Sequence, residues 1–166
     1  MIHEKPKLEM LVGLPGSGKS TYIREIRKND LSHNLVVVST DDYIQRKATA
    51  DGTTYDVAFD KYIRKASTNM NAMLRQAVNE RKNIIWDQTN LTPKSRKKKL
   101  KMVLKDIYFR VAVVFDIPDD VLEERLEKRF KEEGKSIPPH VMDRMRESFI
   151  MPTREEGFDK VIKVKL

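Results

Sequence analysis

The chain has 166 residues, 39% of them hydrophobic, and 33 Lys and Arg against 25 Asp and Glu leave a net charge of +8. That length supports one soluble domain with a real core, and the absence of cysteine excludes disulfides, thiolate zinc sites and a cysteine nucleophile. No run nears the roughly 18 apolar residues of a membrane span and Met1–Pro6 lacks the apolar centre of a signal peptide, so no membrane partner and cytoplasmic residence are expected.

The first element is the apolar run Leu8–Val12, read as a strand. It leads into Gly13-Leu-Pro-Gly-Ser-Gly-Lys-Ser20, a complete G-x-x-x-x-G-K-[ST] phosphate loop, and a helix opens at Ser20-Thr-Tyr-Ile23. Backbone N–H groups of such a bend converge with the helix N-terminus on one spot, where a triphosphate sits. The expected ATP-binding set is Pro15, Gly16, Ser17, Gly18, Lys19, Ser20 and Thr21. Lys19 is assigned to the β- and γ-phosphates and the Ser20 hydroxyl to Mg²⁺. Side chains at Gly16 and Gly18 would block the approach of backbone to phosphate.

Leu35–Ser39 reads as a second strand, and Met70, Met73, Leu74, Ala77 and Val78 mark a helix within Asp60–Arg81. Asn83–Trp86 is a third strand, and Thr92-Pro93 opens a basic helix running to about Lys105. Tyr108–Phe115 is a fourth strand, and Asp119 caps a helix with an apolar stripe at Val121, Leu122, Leu126 and Phe130. The Gly134 and Pro138-Pro139 region breaks that helix; another starts near His140 and ends by Pro152, before a last strand at Phe158–Val164. Strands alternating with helices predict an α/β fold with a parallel sheet of four to five strands flanked by helices.

In such sheets the chemistry lies beyond the carboxyl ends of the strands. After the second strand come Asp41 and Asp42; one carboxylate there suits a base that takes a proton from an acceptor hydroxyl, while its neighbours cap the following helix. Spacing does not choose between the two. After the third strand, Asp87 suits a Mg²⁺ role, with Thr89 and Asn90 as neutral donors for an acceptor. Asp116, braced by Pro118 after the fourth strand, reads as structural. Arg125 and Arg129 share a helix face before the break, as a lid over a transferring phosphoryl group requires, or as an ordinary salt-bridged helix beside Glu123, Glu124 and Glu127 would show. The cluster Lys94–Lys101 reads as a solvated outer face, with phosphate contacts as the other reading. His3, His33 and His140 show no metal-ligand spacing.

Taken in order, the phosphate loop, Thr40-Asp-Asp-Tyr43, Asp87-Gln-Thr-Asn90, Val114–Pro118, Arg125/Arg129 and Ile137-Pro138 resemble the polynucleotide 5′-hydroxyl kinases, the kinase domain of phage and end-healing enzymes. The resemblance covers essentially the whole chain. It implies a P-loop NTPase/kinase fold with a small helical lid at about residues 123–140, a tunnel open to ATP at one end and to a nucleic acid 5′-hydroxyl end at the other, and dependence on ATP and Mg²⁺. It also implies Asp41 as general base, Arg125 and Arg129 as lid arginines with Arg129 on the phosphates, and Asp42, Asp87, Thr89 and Asn90 on the acceptor side. The chain departs from the family where an arginine follows the D-D-Y: Ile44 stands there, with Arg46 as the substitute acceptor contact. Residues 1–166 are expected to form one kinase domain without the 3′-phosphatase domain of some relatives. Two other functions share the loop: a small-molecule kinase, and a non-catalytic nucleotide-binding module. A GTPase is excluded because no N-K-x-D motif occurs.

Overall fold

A computed structural model describes residues 4–165. The chain alternates strand and helix: β1 (Lys7–Gly13), α1 (Lys19–Asn29), β2 (Leu35–Ser39), α2 (Asp41–Asp51), α3 (Tyr55–Asn79), β3 (Asn83–Asp87), α4 (Pro93–Leu100), β4 (Phe109–Phe115), α5 (Asp119–Glu133), α6 (Pro139–Ser148) and β5 (Lys160–Lys163). The five strands are parallel in the order β2-β3-β1-β4-β5. The phosphate-loop strand is central, and Ser39 and Asp87 end adjacent strands in register.

A parallel sheet covered on both faces needs strands apolar on both sides, and β1 is buried from Leu8 through Gly13. Leu8, Met10 and Val12 face a core built with Met70 and Leu74 of α3, and Trp86 of β3. Leu11 faces the opposite core with Ile23 of α1 and Val113 of β4. Glu9 is tolerated inside because the Tyr22 hydroxyl donates to it at 2.6 Å. A third cluster, with Ile44, Ala48, Ala58 and Ala66, joins α2 to α3.

Several boundaries differ from the sequence reading for local reasons. The α3 helix starts before Asp60 because the Thr54 side chain caps it, accepting from the Val57 N–H. Thr92 caps α4 as expected, accepting from the Ser95 N–H, but the helix stops at Leu100. Met102, Val103 and Tyr108 N–H groups then close successive turns, which carry Val103 into the core. Asp119 is the first residue of α5, not its cap; Pro118 precedes it in extended geometry. The α6 helix ends before Phe149, short of Pro152. The last strand is shorter than expected: Phe158 is fully buried ahead of it, and Asp159 N–H bonds to Arg110 instead of extending β5.

Candidate active site

The phosphate loop leaves β1 at Gly13, where a Cβ would fall 2.6 Å from Ser17 Oγ. Gly16 (φ 81°) and Gly18 (φ 108°) take left-handed backbone that a side chain would strain. The outer wall of the loop is α5. A Cβ at Gly16 would come within 3.1 Å of Leu126 Cδ2, and one at Gly18 within 3.3 Å of Arg125 Nη1. Lys19 donates to the carbonyls of Gly13 and Leu14, both at 2.8 Å. Burial pushes its ammonium down to about 8, with the Arg129 charge adding to the fall and Asp87 and Asp41 opposing it. Ser20 and Thr21 are exposed in the first turn of α1, whereas the Ser17 hydroxyl is buried without a partner. A glycine cradle, an orphaned hydroxyl and an amine held at the loop mouth all suit a bound phosphate chain.

Asp41 and Asp42 open α2, where the helix dipole favours negative charge. The N-cap position is Thr40, whose side chain makes no cap bond, and the Asp41 N–H donates to Ser39 Oγ at 3.1 Å. The Asp41 carboxylate makes no cap bond, and the Tyr55 hydroxyl donates to its Oδ1. Burial and Asp41 push the Tyr55 hydroxyl well above its ordinary range, so it keeps its proton. Asp87 is pushed up to about 6, first by burial and then by the charge of Asp41, with Lys19 opposing. Lys19, Asp41, Asp87 and Arg129 therefore lie in one electrostatic cluster, reaching to Tyr55. Asp42 is exposed at the rim of that cluster.

Other candidate residues are placed differently. Arg46 lies on the exposed face of α2, its guanidinium 6.0 Å from the Tyr43 ring and its Nε donating to the Asp42 carbonyl. Ile44 is fully buried in the α2–α3 core, so no cation stands at that point. Thr89 contributes its carbonyl to the Gly13 N–H at 3.0 Å, tying the β3 loop to the phosphate loop. Asn90 is buried in left-handed backbone, and its amide donates to the Leu11 carbonyl at 2.7 Å. Its Oδ1 accepts from Lys99 and its carbonyl from Arg96 Nη1. This side chain braces the loop from inside.

The basic stretch of α4 divides in the same way. Arg96 is fully enclosed and makes a two-pronged bond to Glu156 at 2.7 and 2.8 Å. Burial pushes Lys99 down to about 8, with its amine 5.5 Å from the Trp86 ring centre. Lys94, Lys97, Lys98 and Lys101 are exposed. Along α5, Lys128 pairs with Glu132 and Lys131 with Glu127. Among the described residues, neither Arg125 nor Arg129 has an ion-pair partner. No cluster of three or more His, Asp or Glu among them is grouped to hold a metal; His3 lies outside the described residues.

Tyr55 was not singled out by sequence, and the turn after α5, read only as the helix break within the lid, gave no sign of its contacts with α3. Ser136 there donates its N–H and hydroxyl to Asp56 Oδ2, at 3.1 and 2.6 Å, and the Lys135 ammonium sits 4.5 Å from the Tyr55 ring centre. A tyrosine opening a helix carries no motif, so only the folded contact reveals it.

Residues 8–152 match the AAA domain family (AAA_33). The chain belongs to that family. Heterogeneous nuclear ribonucleoprotein U-like protein 2 of Homo sapiens is 26% identical over 161 residues, 95% of this chain and 21% of that protein, as is its Mus musculus counterpart. The chain thus spans about a fifth of the length of these relatives. A chain of the Pnkp1/Rnl/Hen1 RNA repair complex superposes with TM-score 0.68 at 28% identity, over 88% of this chain and 44% of that one. Chaetomium thermophilum Kti12, solved in complex with ADP-AlF3, shares the fold at TM-score 0.62 and 16% identity, over 95% of this chain and 88% of that one. The AAA-family chain therefore has a nucleotide-binding P-loop kinase-like fold of five parallel strands flanked by helices. No helix of its described residues is long and apolar enough to cross a membrane.

Proposed function

We propose that this domain transfers the γ-phosphate of ATP to the 5′-hydroxyl end of a polynucleotide. The observation that carries the reading is the place of Asp41, which opens α2 just past β2, beside the strand end at Asp87, with its charge acting on the loop lysine. A phosphate cradle alone binds nucleotide; a carboxylate set beside it also provides for an acceptor hydroxyl. The acceptor oxygen would bond to the γ-phosphorus, the bond from that phosphorus to the β–γ bridging oxygen would break, and the hydroxyl proton would pass to Asp41. ADP leaves. Backbone N–H groups of Gly16, Gly18, Lys19, Ser20 and Thr21, together with the Lys19 ammonium, hold the phosphates over the bend at residues 15–17, and Arg129 with Arg125 offsets charge on the transferring group from the lid formed by α5 and its turn.

Mg²⁺, when bound, neutralises charge on the triphosphate. The Ser20 hydroxyl would hold it, and Asp87, whose charge Lys19 feels more than that of Asp41, would serve the same side. Asp42 and Thr89 are assigned to the acceptor rim, with Asn90 bracing the loop that carries Thr89 from within. The polynucleotide acceptor is supported by the 28% identity to a chain of an RNA repair complex, by the ribonucleoprotein relatives and by the net charge of +8.

The test offers 5′-hydroxyl RNA, 5′-hydroxyl DNA and a panel of nucleosides and sugars side by side, with γ-labelled ATP and Mg²⁺. Label should appear on a polynucleotide 5′ end, with acceptor affinity falling steeply as salt rises. Label on a nucleoside or sugar, with no salt dependence, would assign a small-molecule kinase instead.

A further inference from the structure

We propose that Tyr55 is a positioning residue that fixes the Asp41 carboxylate and passes closure of the lid turn to it. The proposal rests on the reading of Asp41 as proton acceptor, though the coupling itself is measurable without any acceptor.

Tyr55 touches both parts at once. Its hydroxyl donates to Asp41 Oδ1, and the face of its ring takes the Lys135 ammonium at 4.5 Å. Lys135 keeps only 16% of its side chain exposed and also pairs with Glu133 at 3.4 Å. The next residue along α3, Asp56, accepts from the Ser136 N–H and hydroxyl. Two neighbouring side chains in the first turn of a capped helix therefore clasp two neighbouring residues of the lid turn. Among the described residues no hydrogen bond or ion pair joins α2 itself to this turn, so the Tyr55 ring is a physical bridge between the lid turn and the base.

The chemistry follows from the ring's stiffness. A phenol carries its hydroxyl at the far end of a planar body, so a shift of the ring under Lys135 moves the hydrogen bond to Asp41 with it. With Oδ1 held, Oδ2 is the oxygen left for an incoming hydroxyl proton. Tyr55 keeps its own proton and acts only as donor. A docked lid turn thus leaves the carboxylate oriented, and an undocked one releases it.

Tyr55→Phe keeps the ring under Lys135 and deletes only the bond to Asp41. It should lower kcat by at least about tenfold with KM for ATP unchanged, a split that loss of packing alone would not produce. Linkage is reciprocal, so Tyr55→Phe and Asp41→Ala, each of which removes the hydroxyl–carboxylate bond, should each accelerate hydrogen exchange at the Ser136 amide. The double variant should exchange no faster than either single one, because both cut the same connection. Wild-type kcat in Tyr55→Phe, or Ser136 exchange indifferent to both changes, would overturn the proposal. Should the wild type phosphorylate no acceptor at all, the function assigned to Asp41 falls, and the exchange pattern alone then decides the coupling for or against.

Discussion

Two sets of buried charges in this molecule are built on opposite plans. Arg96, fully enclosed on α4, meets both oxygens of Glu156 and the carbonyl of Asn90. Arg110 of β4 likewise spends its guanidinium on carbonyls of Leu100, Val103 and Gly157. At the sheet's other functional edge, Lys19 has only loop carbonyls, and Asp87 is held above its ordinary carboxylate range. The first set is saturated from within and needs nothing further. The second is left under-compensated, which suits the bound phosphate chain of a nucleotide.

Substitutions should separate the two sets. Arg96→Ala leaves Glu156 without its partner and should cost about 3–5 kcal/mol of stability, seen as a lower urea midpoint. Lys19→Met, which deletes an under-compensated buried charge, should leave that midpoint unchanged or higher while lowering transfer by roughly 10²–10³-fold. A Lys19→Met protein destabilised like Arg96→Ala would erase the distinction.

The pH dependence of stability gives a smaller test with a definite sign. The unfolded Asp87 carboxyl loses its proton near 3.8, whereas the folded one holds it to about 6. Between those values the folded state binds more protons, so this group makes stability fall as pH rises. Lys19 acts in the other sense: the folded amine releases its proton near 8 and the unfolded one near 10.5, so stability rises with pH across that interval. Denaturant melts of Asp87→Asn should lose the lower limb, and those of Lys19→Met the upper. Smallest of all, Lys97→Gln with Lys98→Gln, on the exposed face of α4, should change stability by no more than about 0.5 kcal/mol.

The same contrast explains what was legible in the sequence. The phosphate loop is eight contiguous residues whose geometry is local, so Gly13 to Ser20 could be read directly. The placing of Asp41 and Asp87 side by side was legible because parallel strands deliver their last residues to one end of the sheet, a rule needing only strand order. Asn90 and Arg96 resisted because Arg96 finds Glu156 60 residues away, and burial turned both residues into internal braces. Tyr55 resisted for the same reason: its hydroxyl meets Asp41 across the α2–α3 turn, without periodicity or motif to announce it. Helix ends were visible where capping was local, as at Thr92, and missed at Thr54, where the apolar pattern was the only guide.

On the proposed function, Asp41 serves the acceptor and not the nucleotide. This role is tested most directly by measuring, in Asp41→Ala, both nucleotide binding and phosphate transfer to a 5′-hydroxyl oligonucleotide. Nucleotide affinity should stay close to that of the wild type while transfer falls by roughly 10²–10⁴-fold. Near-normal turnover in Asp41→Ala would contradict that role.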